Sequence, residues 1–174
     1  MADRRVFFAL WPDDGVRKHL DAIAQSNRPE KSRPIRRGNL HATLNFLGNL
    51  PEERIPDLLE AASGVRGRHC VLELTKLEVW RRSAVLALCP DTVPDVLVQL
   101  HAKLDHRLIE AGFETESRKY RPHVTLARKA RVKMDPVYLD TPLKWVVDEF
   151  VLVESVSISD GVRYDVLERW ELGS

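Results

Sequence analysis

The residues best suited to chemistry come as a repeated pair. His41-Ala42-Thr43-Leu44 is echoed 82 residues later by His123-Val124-Thr125-Leu126. Each copy falls in a run whose alternation predicts a strand, and side chains at i and i+2 of a strand share a face. His41, Thr43 and Asn45 are therefore expected on one face, with Leu40, Ala42, Leu44 and Phe46 on the other. In the second copy Arg121, His123 and Thr125 share a face backed by Val124 and Leu126. A His/Thr front over an apolar back builds a site rather than a core.

Two imidazoles and two hydroxyls converging on one point suit a phosphoester. Hydrolysis of a cyclic phosphate needs a base to deprotonate water and an acid to protonate the leaving oxygen. Histidine, with an ordinary pKa near ~6.5, serves either role at neutral pH. Thr43 and Thr125 would donate to the non-bridging oxygens, where negative charge is held in the transition state. In-line displacement places acid and base on opposite sides of phosphorus, which two lobes facing across a cleft would supply. The residues alone do not say which histidine is the acid. Zinc is the rival ligand, but neither motif has a nearby Cys, Asp or Glu to complete a site of three or more protein ligands. No metal or other cofactor is expected.

Arg128 follows the second motif and is a candidate phosphate clamp, because a guanidinium matches phosphate bidentately. Strand parity sets it opposite His123, so it reaches the site only if the strand bends or ends there. Trp11, Trp80 and Tyr120 could stack on a base, but aromatic residues of this kind are read first as core. His19, His69, His101 and His106 do not repeat the motif and are assigned surface or helix-end roles.

Charge distribution supports an anionic substrate. The formal net charge is only +1. Yet the segments 27–39 and 117–133 hold twelve of the 27 Lys and Arg residues, against the single acid Glu30. Positive charge gathered beside both motifs steers a polyanion. The chain, 174 residues with 44% hydrophobic and 30% charged, suits a soluble globular protein able to bury a core without disulfides or a structural metal. Cys70 and Cys89 form no metal-binding spacing and read as reduced thiols. The apolar run Val6–Trp11 is too short for a signal peptide and no run approaches a membrane span. A cytoplasmic monomer with no membrane association and no obligate protein partner is expected.

The elements that must position these residues follow from periodicity and punctuation. Val6–Leu10 reads as a buried strand, and Pro12, Asp13 and Asp14 open a helix with Val16, Leu20 and Ile23 on its apolar face. Residues 27–39 read as a basic loop, Leu40–Gly48 as a strand, and Pro51, Glu52 and Glu53 as the start of a second helix. Val71–Trp80 and Ala84–Leu88 form a hairpin, with a phase switch near Thr75 or Lys76 that predicts a bulge. A third helix spans 93–111 and stops at Gly112. Pro122–Arg128, Trp145–Val153 and Arg163–Trp170 are the remaining strands, the last two joined through Asp160 and Gly161. The mixture predicts an α+β fold.

With these residues in place, the chain resembles the 2H phosphoesterase superfamily, and within it the bacterial RNA 2′,3′-cyclic phosphodiesterases, historically called 2′-5′ RNA ligases. The paired motifs carry the superfamily likeness. VFFAL, VRKHL, NLHATLNFLG, RPHVTLAR and the closing LVESVSISDGVRYDVLERWEL carry the closer one. The resemblance implies a single bilobal domain over residues 1–174, with two pseudo-symmetric lobes, each an antiparallel sheet with outer helices, and an active-site cleft between them. It implies metal-independent hydrolysis of RNA 2′,3′-cyclic phosphate ends, or of small cyclic nucleotides, to a 2′-phosphate. His41 would be the proton donor and His123 the acceptor, with Thr43 and Thr125 binding phosphate. Reversible 2′-5′ joining of RNA ends, cleavage of 2′-5′ oligonucleotides, and non-catalytic binding of RNA ends are the alternative functions. Val162 departs from the pattern, which favours a small residue there, and is expected to lie remote from both motifs and to matter little.

Overall fold

A computed structural model describes residues 2–174. Its strands are β1 (Asp3–Leu10), β2 (Arg33–Pro34), β3 (Ala42–Pro51), β4 (Cys70–Trp80), β5 (Val85–Cys89), β6 (Val124–Arg128), β7 (Val137–Val147), β8 (Glu149–Ile158) and β9 (Gly161–Glu171). The helices are α1 (Asp14–Asn27), α2 (Ile55–Ser63) and α3 (Asp95–Glu110). The strands make two antiparallel sheets, ordered β3-β1-β8-β9 and β2-β6-β5-β4-β7. One histidine motif lies on each, at β3 and at β6. The architecture is the expected α+β pair of lobes around a cleft.

Both faces of the first sheet are covered, which explains the unbroken VFFAL of β1. Val6, Phe8 and Leu10 enter the main core with Phe150 and Leu152 of β8. Phe7 and Ala9 point the other way with Val151 and Val153, forming a second apolar layer under the cleft. The helices interlock the lobes: α1 follows a strand of the first sheet but packs against β6 and β7, whereas α3 follows β5 but packs against β3. One continuous core draws on both sheets and all three helices. This arrangement holds the two motif strands at a fixed separation.

Local chemistry sets the helix ends. The Asp13 carboxylate caps α1 by accepting from the Val16 amide at 2.8 Å. At the end of α3, Gly112 N–H donates to Ile109 and Phe113 N–H to Leu108, a pair of closing bonds that needs the left-handed conformation Gly112 adopts at φ +88°. Phe113 is buried against the core and under the Arg54 guanidinium, 4.2 Å from its ring centroid.

Three expectations change. Trp145–Val153 is not one strand: β7 ends at Val147 in the second sheet and β8 begins at Glu149 in the first. The inward residues shift from odd (Trp145, Val147) to even (Phe150, Leu152) across Asp148, a phase change that marks the crossover. The basic loop contains the short edge strand β2 and a 3-10 turn at Arg37–Asn39. The second helix is preceded by a 3-10 turn over Glu52–Arg54, so its α-helical part starts only at Ile55. The predicted bulge in β4 is present, as a register shift between Leu74 and Lys76.

Candidate active site

His41 and His123 line one cavity of about 360 Å³ between the lobes, together with Thr43, Thr125 and Arg128. Each imidazole is oriented by its own chain. His41 Nδ1 donates to the Asn39 carbonyl at 2.7 Å and His123 Nδ1 to the Arg121 carbonyl at 2.8 Å. A carbonyl can only accept, so both rings carry hydrogen on Nδ1 and leave Nε2 for chemistry. His41 Nε2 lies 3.1 Å from Thr43 Oγ1.

A shared backbone irregularity decides which neighbours reach the cleft. In the β1–β3 ladder Phe8 pairs with Asn45 and Ala9 with Thr43, so Leu44 is an extra residue. In the β5–β6 ladder Leu86 pairs with Ala127 and Ala87 with Thr125, so Leu126 is extra. The bulge thus falls on the same leucine of both motifs, and beyond it the side-chain alternation reverses. Asn45, expected beside His41 and Thr43, is instead 5% exposed with Oδ1 unpaired, and Phe46 turns into the cleft. Ala127 is buried, and Arg128, expected on the far face, lines the cleft with His123 and Thr125. The bend that Arg128 required is this bulge.

Aromatic side chains enclose both imidazoles. Phe7, Trp11 and Tyr164 surround His41 at centroid separations of 4.9, 6.0 and 5.2 Å. Trp80 packs 4.3 Å from His123, held by its Nε1 donating to Glu78 at 2.9 Å and by Arg121 over its face at 4.6 Å. Trp11 and Trp80 therefore buttress the histidines, whereas Tyr120 stacks on His101 at the side of a neighbouring cavity of about 390 Å³. Burial draws the His41 pKa down to about 4, with the charges of His123, Arg17 and Arg128 acting in the same direction against the Asn39 hydrogen bond. Burial also lowers His123, opposed by its bond to the Arg121 carbonyl. Both shifts favour the neutral ring at pH 7.

Several positioning residues escaped the sequence reading. Arg17 is 6% exposed, stacks over Trp11 at 4.6 Å, and donates to the carbonyls of Pro12 at 3.1 Å and Arg37 at 2.6 Å. It pins the segment leading into His41. Its signal was present: an arginine three residues before Leu20 on the apolar stripe of α1. Asn39 donates from Nδ2 to the Val162 carbonyl at 2.9 Å and accepts from the Tyr164 amide at 3.3 Å. Val162 is therefore not remote from the site as expected: the β8–β9 hairpin folds back so that its carbonyl holds the residue that orients His41. Phe7 and Tyr164 had no signal in spacing, because only the folded sheet brings them to His41.

Part of the positive charge beside the motifs is already paired. Arg36 meets Asp160 at 2.5 Å, Arg37 meets Asp21 at 2.8 Å and Arg118 meets Glu116 at 3.1 Å. Among the described residues, no three His, Cys, Asp or Glu side chains are grouped to hold a metal ion.

The sequence profile of the 2′-5′ RNA ligase superfamily matches residues 12–157. An Escherichia coli protein named RNA 2′,3′-cyclic phosphodiesterase is 32% identical over 173 residues, covering 97% of each chain. The chain belongs to the 2′-5′ RNA ligase superfamily. Another member of that name, from Thermus thermophilus, is 28% identical over 184 residues, spanning 97% of this chain and 90% of its own length. The crystal structure of E. coli LigT complexed with 3′-AMP superposes with a TM-score of 0.91 at 30% identity over 99% of both chains. The superfamily architecture accounts for the two lobes, the interlocked helices and the central cleft.

Proposed function

We propose that the chain hydrolyses RNA 2′,3′-cyclic phosphate ends to 2′-phosphates by acid–base catalysis between His41 and His123. The observation that carries this reading is the convergence of both His-x-Thr pairs on one cavity, each imidazole fixed through Nδ1, with His41 Nε2 beside the Thr43 hydroxyl. His123 Nε2 takes a proton from water as the water oxygen bonds to phosphorus. The bond from phosphorus to the ribose 3′-oxygen breaks, and His41 Nε2–H protonates that oxygen. Thr43, Thr125 and Arg128 hold the non-bridging oxygens, whose charge must be supported throughout. The names of the relatives and the 3′-AMP complex of E. coli LigT support a nucleotide substrate. The interlocked core supports residues 2–174 acting as one bilobal domain, with Met1 outside the described residues. Two free cysteines, Cys70 half-buried and Cys89 buried, fit a reducing, cytoplasmic setting.

The test is turnover of a 2′,3′-cyclic mononucleotide and of a short RNA bearing that end, with EDTA present. Both should be hydrolysed. His41→Ala and His123→Ala should each lower turnover by at least ~10²-fold. Turnover of neither substrate refutes the assignment, EDTA sensitivity refutes its metal-free chemistry, and full activity in either variant refutes the paired roles.

A further inference from the structure

A cavity of about 240 Å³ opens off the cleft and shares Ile35, Asn39, Arg128 and Tyr164 with it. Its cationic wall begins with Arg33 on the edge strand β2, the direct cross-strand partner of Arg128 on β6. Both side chains line this cavity. Like charges placed opposite each other on one face of a ladder repel, so the pairing costs stability unless an anion lies against it. Arg36 adds a third guanidinium to the same wall. Arg128 lines both the cleft and this cavity, whereas Arg33 and Arg36 line only the cavity, so the row runs outward from the reaction centre.

The outer end of the row already holds an anion of the protein's own. Asp160, at the tip of the β8–β9 hairpin in the opposite sheet, accepts through its carbonyl from Arg33 Nη2 at 2.8 Å and from Arg36 Nη2 at 3.3 Å. Its carboxylate meets Arg36 Nη2 at 2.5 Å. Gly161 makes the approach possible: with φ at +142°, a Cβ there would stand 3.3 Å from Arg33 Nη2. The side chains of Arg36 and Asp160 are 50% and 72% exposed, and ion pairs this open to water are weak enough to be exchanged.

We propose that Arg33 and Arg36, in line with Arg128, form a second phosphate subsite for the phosphodiester adjacent to the reacting end of an RNA, which Asp160 occupies until RNA binds. The proposal rests on the phosphodiesterase reading. It follows from the match of the arginine fork to phosphate oxygens and from the continuity of the two cavities. A cyclic mononucleotide has one phosphate and leaves the outer position to Asp160. An RNA has the next phosphate to displace it.

The experiment compares kcat/KM for a 2′,3′-cyclic mononucleotide and for a short RNA ending in the same cyclic nucleotide. In the Arg33→Gln/Arg36→Gln variant the RNA-to-mononucleotide ratio should fall at least ~10-fold, the size expected for losing charge-assisted hydrogen bonds. The salt dependence of the RNA reaction should flatten with it. Asp160→Asn should raise the ratio. An unchanged ratio in the double variant overturns the subsite, and a ratio that does not rise in Asp160→Asn overturns the place given to Asp160. Should the double variant not fold, Arg36→Gln, at a half-exposed side chain, reads the same ratio. If the unsubstituted protein turns over neither substrate, the parent reading fails by itself. The subsite is then read from binding of a 3′-phosphorylated RNA against a 3′-mononucleotide. Tighter RNA binding that the double variant abolishes supports it, and equal binding overturns it.

Discussion

The depressed pKa of His41 has a consequence for stability that His41→Gln exposes. The ring titrates near 4 in the folded protein, against about 6.5 when unfolded. As pH falls below 6.5, the unfolded chain takes up this proton while the native state does not, so stability is lost between about pH 6.5 and 4. At pH 5 the linkage amounts to ~2 kcal/mol, and to ~1 kcal/mol once the wet, cleft-facing edge of the partly buried ring is discounted. Urea unfolding of both proteins at pH 7.5, 6 and 5 measures it. Because the comparison is between slopes, any constant loss from replacing the ring cancels. The unsubstituted protein should lose ~1–2 kcal/mol more than His41→Gln on going from pH 7.5 to 5. Parallel pH dependences, or a smaller loss in the unsubstituted protein, would show that the cleft does not hold His41 neutral.

Other outcomes follow from single contacts. Arg128→Ala should lower kcat/KM by ~10²-fold, with partial recovery in Arg128→Lys, and should raise the His41 titration midpoint seen by NMR, because Arg128 helps to depress it. Trp80→Ala removes the wall 4.3 Å from His123 and should lower kcat by ~10-fold while displacing the His123 limb of the pH–rate profile. An unchanged profile would mean that Trp80 does not position the ring. Gly112→Ala forces a Cβ into φ +88° and should cost ~1 kcal/mol, read as a fall of ~2–4 °C in Tm with catalysis intact.

How legible the site was depended on the range of the interaction. His41, Thr43, His123 and Thr125 could be found because a short motif on a strand fixes which side chains share a face. The helices were legible for the same reason, through the Asp13 cap, the stripe ending at Leu108 and the stop at Gly112. Asn45 was misplaced, and the bend on which Arg128 depended could not be foreseen, because a bulge reverses alternation and a single extra residue at Leu44 or Leu126 leaves no composition signal. The crossover at Asp148 was not readable, because residues 145–147 and 150–153 are apolar without alternation and the odd-to-even shift shows only in the burial. The aromatic shell was not readable. Phe7, Trp11 and Tyr164 approach His41 from one strand, the segment after it and the far edge of the sheet, and only tertiary closure makes them neighbours.

Two copies of one motif would give two equivalent histidines, with acid and base told apart only by which ring holds the shared proton. The structure breaks the equivalence through the feature that the copies share. The bulge carries the residue two positions beyond the motif leucine into the cleft, and that residue is Phe46 in the first lobe and Arg128 in the second. His41 also lies among Phe7, Trp11 and Tyr164, in a buried wall that disfavours an imidazolium, so its protonated form is a stronger acid than an ordinary imidazolium. This asymmetry fits the proposed division, with His41 giving the proton and His123 taking one. It also sets a condition on the reaction. Burial, with the charges of His123, Arg17 and Arg128, holds the proton off His41, and in the proposed mechanism a phosphate anion held by Thr43, Thr125 and Arg128 would oppose those charges. On this mechanism the substrate's own charge would restore the proton that its leaving oxygen needs, and the acid would be armed by the molecule it acts upon.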